Sequence, residues 1–299
     1  MMLQRDAHLR STHLVEPEWL AHCLRNNTPG IRVVDVRGYV HTETAPDGSQ
    51  TATYLGARPE YMEAHIPGAL YLDWTQDLVD PADPVPVQIA PPDRFQQVME
   101  TAGIGDEHLV IAYDAHPTSQ FATRLWWALR YYGHDRVRVL HGGWTRWQQE
   151  GYPVTTEIPH YPPAHFTPRT RPEMRVTAEQ VLALTQQPDV CLLDARDAAQ
   201  YSGRVRRGKR GGHIPGAVHL PREAVVDAEG RFLPAEQLAE IAAGAGVSPE
   251  TRVVAYCNGG VAATTVLFAL SMLGYPHLAL YDGSWNEWSQ REDLPVATG

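Results

Sequence analysis

The chain has 299 residues, 43% of them hydrophobic and 20% charged, and carries a formal net charge of -10. That length suits two domains of ordinary size, each able to bury its own core. The acidic balance argues against a general nucleic-acid binder, and no apolar run approaches the ~20 residues that a membrane span requires.

In chain order, Pro17 to Leu24 reads as a helix and Val33-Val34-Asp35-Val36-Arg37 as a buried strand ending in Asp-x-Arg. A short helix then leads to His65-Ile66-Pro67-Gly68-Ala69 and a second short strand. Pro92 to Thr101 has the proline start and nearby glycine stop of a helix. Val110-Ile111-Ala112-Tyr113 reads as the next strand, followed by a long helix carrying Trp126-Trp127 as core or interdomain packing, a further strand, and a terminal helix opened by Gly143-Trp144-Thr145-Arg146-Trp147. Residues 151–172 hold six prolines, which predicts a stiff, extended strap whose Tyr152, Ile158, Tyr161 and Phe166 lie on the domains.

After the strap the pattern repeats. Ala178 to Thr185 is again a helix, Leu192-Leu193-Asp194-Ala195-Arg196 again a strand with Asp-x-Arg, and His213-Ile214-Pro215-Gly216-Ala217 again follows. Pro234 to Ala243 answers the middle helix, Val253-Val254-Ala255-Tyr256 the central strand, and Ser284-Trp285-Asn286-Glu287-Trp288 the terminal one. Matches in a single order identify a duplicated domain, with expected bounds 1–151 and 173–299 and a linker over 152–172. Strands alternating with helices make each copy an α/β unit, a mainly parallel sheet with helices on both faces.

The chemistry is expected at one loop of the second copy. The strand Val253–Tyr256 ends at Cys257, passes through Asn258-Gly259-Gly260-Val261-Ala262-Ala263, and becomes a helix that stops at Gly274. In an open α/β sheet ligands bind at the carboxyl ends of strands. A tight loop there gathers backbone N–H groups beside the positive end of the following helix. Two glycines let that backbone close around an anion. A thiol in this place reads as a nucleophile, against the plainer alternative of a small buried cysteine beside a Gly-rich turn. Cys23, on the first helix, and Cys191, opening a strand, read as packing residues; three scattered cysteines suit neither a disulfide framework nor a metal site. Met1 to His8 lack a signal-peptide core, so the default compartment is the cytoplasm.

In the first copy the matching position is Asp114, in a loop two residues longer that contains Pro117. A carboxylate there cannot serve as a thiolate, would repel an anion, and shares its loop with a residue lacking an N–H donor. The first copy is therefore expected to be catalytically silent.

Taken together, Asp-x-Arg before His-Ile-Pro-Gly-Ala in both halves, Tyr113-Asp114, Cys257-Asn258-Gly259-Gly260-Val261-Ala262 and Tyr281-Asp282-Gly283-Ser284-Trp285-Asn286-Glu287-Trp288 resemble the tandem-domain rhodaneses along nearly the whole chain. The resemblance implies two rhodanese-like domains, an inactive first and an active second, with the site in the cleft between them. It also implies sulfur transfer through a Cys257 persulfide, from a small-molecule donor to cyanide or a thiol, with no metal or organic cofactor and no nucleic-acid or membrane partner. Donors from Asn258 through Ala263 would stabilise the charged terminal sulfur as an oxyanion hole does.

The donor is not legible from the loop. Thiosulfate-preferring members commonly carry Arg and Lys at the positions of Asn258 and Gly259, and 3-mercaptopyruvate-preferring members Gly and Ser. Gln200 also stands where many members have arginine. Five cations in the seven residues Arg204-Val205-Arg206-Arg207-Gly208-Lys209-Arg210 offer the missing charge, and Arg206, Arg207 and Lys209 are the candidate substrate contacts. The alternatives are a solvated loop or a docking site for an acidic partner protein. The first expectation is thiosulfate as donor, with 3-mercaptopyruvate as the alternative. A cysteine phosphatase would need an arginine closing the loop, whereas the first basic residue after Cys257 is Arg291. A persulfide relay without turnover would use the same cysteine.

Overall fold

The computed structural model describes residues 12–185, 187 and 189–299. The first half runs β1 (Leu14–Val15), α1 (Pro17–Arg25), β2 (Ile31–Asp35), β3 (Gly38–Thr44), β4 (Ser49–Gly56), α2 (Arg58–Glu63), β5 (Ala69–Tyr71), α3 (Pro92–Thr101), β6 (Leu109–Tyr113), α4 (Gln120–Tyr131), β7 (Val137–Leu140) and α5 (Gly143–Gln149). The second runs β8 (Arg175–Val176), α6 (Ala178–Leu184), β9 (Val190–Asp194), α7 (Ala198–Tyr201), β10 (Arg206–Arg207), β11 (Val218–His219), α8 (Ala235–Gly244), β12 (Arg252–Tyr256), α9 (Ala263–Met272), β13 (Leu278–Tyr281) and α10 (Ser284–Trp288).

Each half contains a parallel five-stranded sheet, ordered β1-β7-β6-β2-β5 in one and β8-β13-β12-β9-β11 in the other. The continuous apolar runs of β6 and β12 suit a central strand, covered on both faces; Val110 to Tyr113 and Val253 to Tyr256 are buried throughout. Both chemistry-bearing loops therefore leave the carboxyl end of a central strand.

The helices that follow those loops bind the halves together. All ten residues of α9 are buried, as a helix apolar on every side must be. It packs against α4, where Thr123 Oγ1 lies 2.9 Å from Thr264 Oγ1 and Trp126 meets Phe268 edge-on at 5.0 Å between centroids. One hydrophobic core passes through both halves, with smaller clusters on the far face of each sheet. The paired tryptophans are thus interdomain packing at Trp126 and core at Trp127.

The proline-rich segment runs along the first half. Thr155 bridges to His65, Tyr161 donates to Gly68 O at 2.7 Å, and Phe166 is fully buried between Phe95 and His134. Ile158 departs from the expectation: it is 52% exposed.

Chain order and repeat say nothing of a third sheet, yet one is present. β3 and β4 form an antiparallel hairpin around Asp47-Gly48, where Gly48 adopts φ +77°. Its second strand, β4, pairs in parallel with β10 of the second half, Arg206 opposite Ser49 and Arg207 opposite Gln50, and so lies in the middle of the sheet. The hairpin has no counterpart in the second half, so comparing the copies could not reveal it. The Asp-Gly turn between β-favouring Thr and Tyr residues was the signal available.

Candidate active site

The repeated motifs build the same frame beneath both loops. In the second half Tyr256 donates to Asp194 Oδ2 at 2.6 Å and accepts from Ile214 N at 3.1 Å. Arg196 pairs with Asp194 at 2.6 Å, and its guanidinium lies 4.3 Å from the Trp285 ring centroid. His213 stacks on Tyr201 at 3.8 Å. The first half repeats each contact: Tyr113 to Asp35 at 2.7 Å, Arg37 to Asp35 at 2.7 Å and to Trp144 at 4.5 Å, His65 on Tyr61 at 3.9 Å. Burial, reinforced by the adjacent aspartate, pushes both phenols well up, so each keeps its proton and donates. These residues, including the Asp-x-Arg arginines, hold each loop from below.

Above the frame the copies differ. Asp114 is buried and accepts N–H bonds from His116 at 2.9 Å, Phe121 at 2.7 Å and Ala122 at 2.9 Å. It fills the N–H cradle at the head of α4 with its own carboxylate. Burial pushes that carboxyl up to about 7, against the pull of the three N–H groups.

Cys257 follows β12 directly and is 3% exposed. Its loop is anchored by Ser284, whose Oγ accepts from Cys257 N at 3.2 Å and Gly260 N at 3.0 Å and donates to Tyr281 O at 2.7 Å. Ser284 holds φ +52°, a strained value for a residue with a Cβ, at the position of Gly143 in the first copy. The Gly260 N–H is thus turned away from any ligand, and Gly260 itself needs φ +73°. Sequence reading passed over Ser284, although its alignment with a glycine was visible in the repeat.

Cys257 faces a cavity of about 370 Å³ between the halves. Of the loop residues singled out from the sequence, Asn258, Gly259, Val261 and Ala262 line it, while Ala263 lies behind, in the first turn of α9. The opposite wall is the unforeseen hairpin, with Tyr39, His41, Gln50 and Tyr54. Asn258 Nδ2 donates to Gln200 at 2.8 Å, and Gln200 Nε2 to Gln50 at 3.1 Å. A chain of neutral amides therefore runs from the loop to the hairpin.

The basic run divides. Arg207 is buried, lines the cavity and donates to Tyr54 Oη at 2.8 Å. Arg206, its neighbour on β10, faces outward to Asp47 at 3.2 Å, as strand alternation requires. Lys209 is exposed and outside the cavity lining. Arg210 is spent on backbone carbonyls of the C-terminal segment, Leu294 and Trp288 among them. Two further arginines reach the cavity, each paired: Arg196 with Asp194 and Arg222 with Glu223 at 2.9 Å. His116, from the Asp114 loop, also lines it; Thr118 N donates to its Nδ1, and burial together with Arg222 pushes its imidazole down to about 4, so it is neutral near pH 7. Among the described residues there is no cluster of His, Cys, Asp and Glu that could hold a metal ion.

The model of the rhodanese-like domain matches residues 16–150 and again 177–291. The chain belongs to the rhodanese family. This rhodanese is 34% identical to a 3-mercaptopyruvate sulfurtransferase of Escherichia coli over 96% of the chain and 99% of that protein, and 33% identical to a thiosulfate sulfurtransferase of Mus musculus over 93% and 92%. The crystal structure of the 3-mercaptopyruvate enzyme SseA from Escherichia coli superposes with a TM-score of 0.77 at 31% identity, covering 91% of this chain and 98% of the other. The protein is accordingly a sulfurtransferase of the rhodanese type.

Proposed function

We propose that this rhodanese is a thiosulfate sulfurtransferase, with Cys257 as its nucleophile and the first half silent. The observation that carries the reading is a buried cysteine sharing one cavity with Arg207, whose hydrogen bond to the neutral Tyr54 hydroxyl leaves its charge for an anion.

In the first step the Cys257 thiolate attacks the outer sulfur of thiosulfate. The S–S bond of the donor breaks, its electron pair leaves with sulfite, and a Cys257 persulfide remains. In the second step cyanide or a thiolate attacks the terminal sulfur, restoring the Cys257 thiolate and carrying the sulfur away as thiocyanate or a new persulfide. Arg207 binds the sulfonate oxygens in the first step. The loop from Asn258 to Ala263 at the head of α9 stabilises negative charge on the persulfide, with Gly260 acting through the loop's shape. Arg206 and Lys209, outside the cavity, contribute by attracting an anion to a protein of net charge -10.

Steady-state rates with thiosulfate and 3-mercaptopyruvate, measured side by side, test the donor. Arg207→Gln is expected to raise the KM for thiosulfate by roughly tenfold or more, the worth of one charge-assisted hydrogen bond. A kcat/KM for 3-mercaptopyruvate above that for thiosulfate would replace this reading with the second one, which the Escherichia coli relatives favour. Persulfide formation without turnover would point to a sulfur relay, in keeping with a 33% identical sulfur carrier protein of Thermus thermophilus.

A further inference from the structure

Gly259 is a glycine for a reason outside its own backbone. Unlike Gly260, it does not adopt the left-handed conformation, so any residue could take its φ. What excludes a side chain is a neighbour: a Cβ at position 259 would lie 2.7 Å from Val87 Cγ2 and 3.0 Å from Asn286 Nδ2. Val87 belongs to the first half, to the segment Pro84-Val85-Pro86-Val87 that precedes α3, and it lines the cavity beside Cys257.

Val87 cannot easily withdraw. It holds φ +61°, a genuine outlier for a β-branched residue, and its χ1 is stiff. Such strain persists only where the surroundings over-determine it, and here they do. Its carbonyl accepts from Arg124 Nη2 at 3.1 Å, while Arg124 Nη1 grips Asp282 at 2.7 Å and Gly260 O at 3.2 Å. Next along the chain, Gln88 Nε2 donates to Asp282 O at 3.1 Å and Ile89 N to Asp282 Oδ2 at 2.9 Å. Arg124 and Asp282 thus clamp the Val87 segment and the catalytic loop into one body.

We propose that Val87 is a specificity-determining residue supplied by the silent half: it occupies the room a side chain at position 259 would take and keeps that side of the cavity apolar. Recognition of the donor's negative charge then falls to Arg207 on the other side. The inference rests on the reading that donor sulfur is loaded on Cys257, and is independent of which donor is preferred.

The test is a double-mutant cycle of Val87→Ala and Gly259→Ser in the full chain. The readouts are kcat/KM for Cys257 persulfide formation from thiosulfate and from 3-mercaptopyruvate, with the melting temperature in parallel. Gly259→Ser alone is expected to lower kcat/KM for thiosulfate by roughly twentyfold or more, and the same change in the Val87→Ala background by less than about threefold. The double variant, with a hydroxyl where methyl groups stood, is expected to shift the ratio of kcat/KM values toward 3-mercaptopyruvate by about tenfold relative to wild type, a change that structural support alone would not produce. If Gly259→Ser fails to fold, Gly259→Ala carries the cycle with the Cβ alone; folding restored by Val87→Ala is then the same coupling. Equal losses in both backgrounds, a Gly259→Ser enzyme as active as wild type, or an unchanged donor ratio in the double variant would overturn the proposal. A wild type preferring 3-mercaptopyruvate, with the coupling intact, would overturn the thiosulfate reading and leave this inference standing.

Discussion

The loops after β6 and β12 stand on the same frame and end in opposite conditions. Asp35, Arg37, Tyr113 and Trp144 repeat the contacts of Asp194, Arg196, Tyr256 and Trp285 almost to the tenth of an ångström. At the tip, Asp114 satisfies three N–H groups with its own carboxylate, whereas Cys257 leaves its loop to Ser284 for support and faces an open cavity. On the proposed reading, silencing the first copy required no damage to its architecture. A carboxyl that takes up the N–H groups of the cradle itself is enough.

The contrast predicts its largest effect at the proposed nucleophile. Cys257→Ser is expected to remove sulfur transfer, by a factor of about a thousand or more, while Cys23→Ser and Cys191→Ser retain most of it. Mass spectrometry after thiosulfate treatment should place one added sulfur on the Cys257 peptide; its appearance on either other cysteine would break the comparison. Loop support comes next. Ser284→Ala leaves two buried N–H groups without their acceptor, at a cost of about 1–3 kcal/mol each in desolvation, and kcat should fall at least tenfold with the protein still folded.

The Asp114 loop gives the sharper pH test. Asp114 titrates near 7 when folded and at its ordinary value near 4 when unfolded, so folding takes up a proton between these values. Its contribution is full below pH 4 and lost as pH rises through 7, on the order of 4 kcal/mol across that interval. Asp114→Asn should flatten this part of the profile, read from denaturant midpoints at pH 4 to 8; an unchanged slope would show that Asp114 stays ionised throughout. Smallest of all is the effect expected of Asp114→Cys, which should yield no second persulfide, since Asp114 lies outside the cavity and Pro117 brings no donor to its loop.

What could be read from the sequence is what the duplication wrote twice. The sheet, the Asp-x-Arg frame and the strand–loop–helix unit that carries Asp114 in one half and Cys257 in the other all recur, and each depends on contacts within one half. What was missed exists once and lies across the interface. The hairpin, Val87 and Tyr54 reach the cavity only because the halves pack together, and Arg207 is aimed inward by pairing with a strand more than a hundred residues earlier in the chain. Two-residue β10 is too short to display alternation, so the run from Arg204 to Arg210 looked like a single patch. Backbone strain at Val87 leaves no trace in the sequence, and that at Ser284 shows only through its alignment with Gly143.

The meeting of α4 and α9 carries a consequence for how such a chain can change. Counting back from the glycines that close the two helices, Gly133 and Gly274, Thr123 and Thr264 are equivalent positions, and they touch each other. Like surfaces meeting in this way are the mark of a two-fold homodimer, here drawn into a single polypeptide. In a dimer of identical subunits every substitution is made twice, so a residue that blocks one loop blocks both. Covalent fusion lifts that restriction: one half can surrender its thiol and lend a wall, an arginine clamp and a hairpin to the other, and the symmetry is broken with the shared axis still in place.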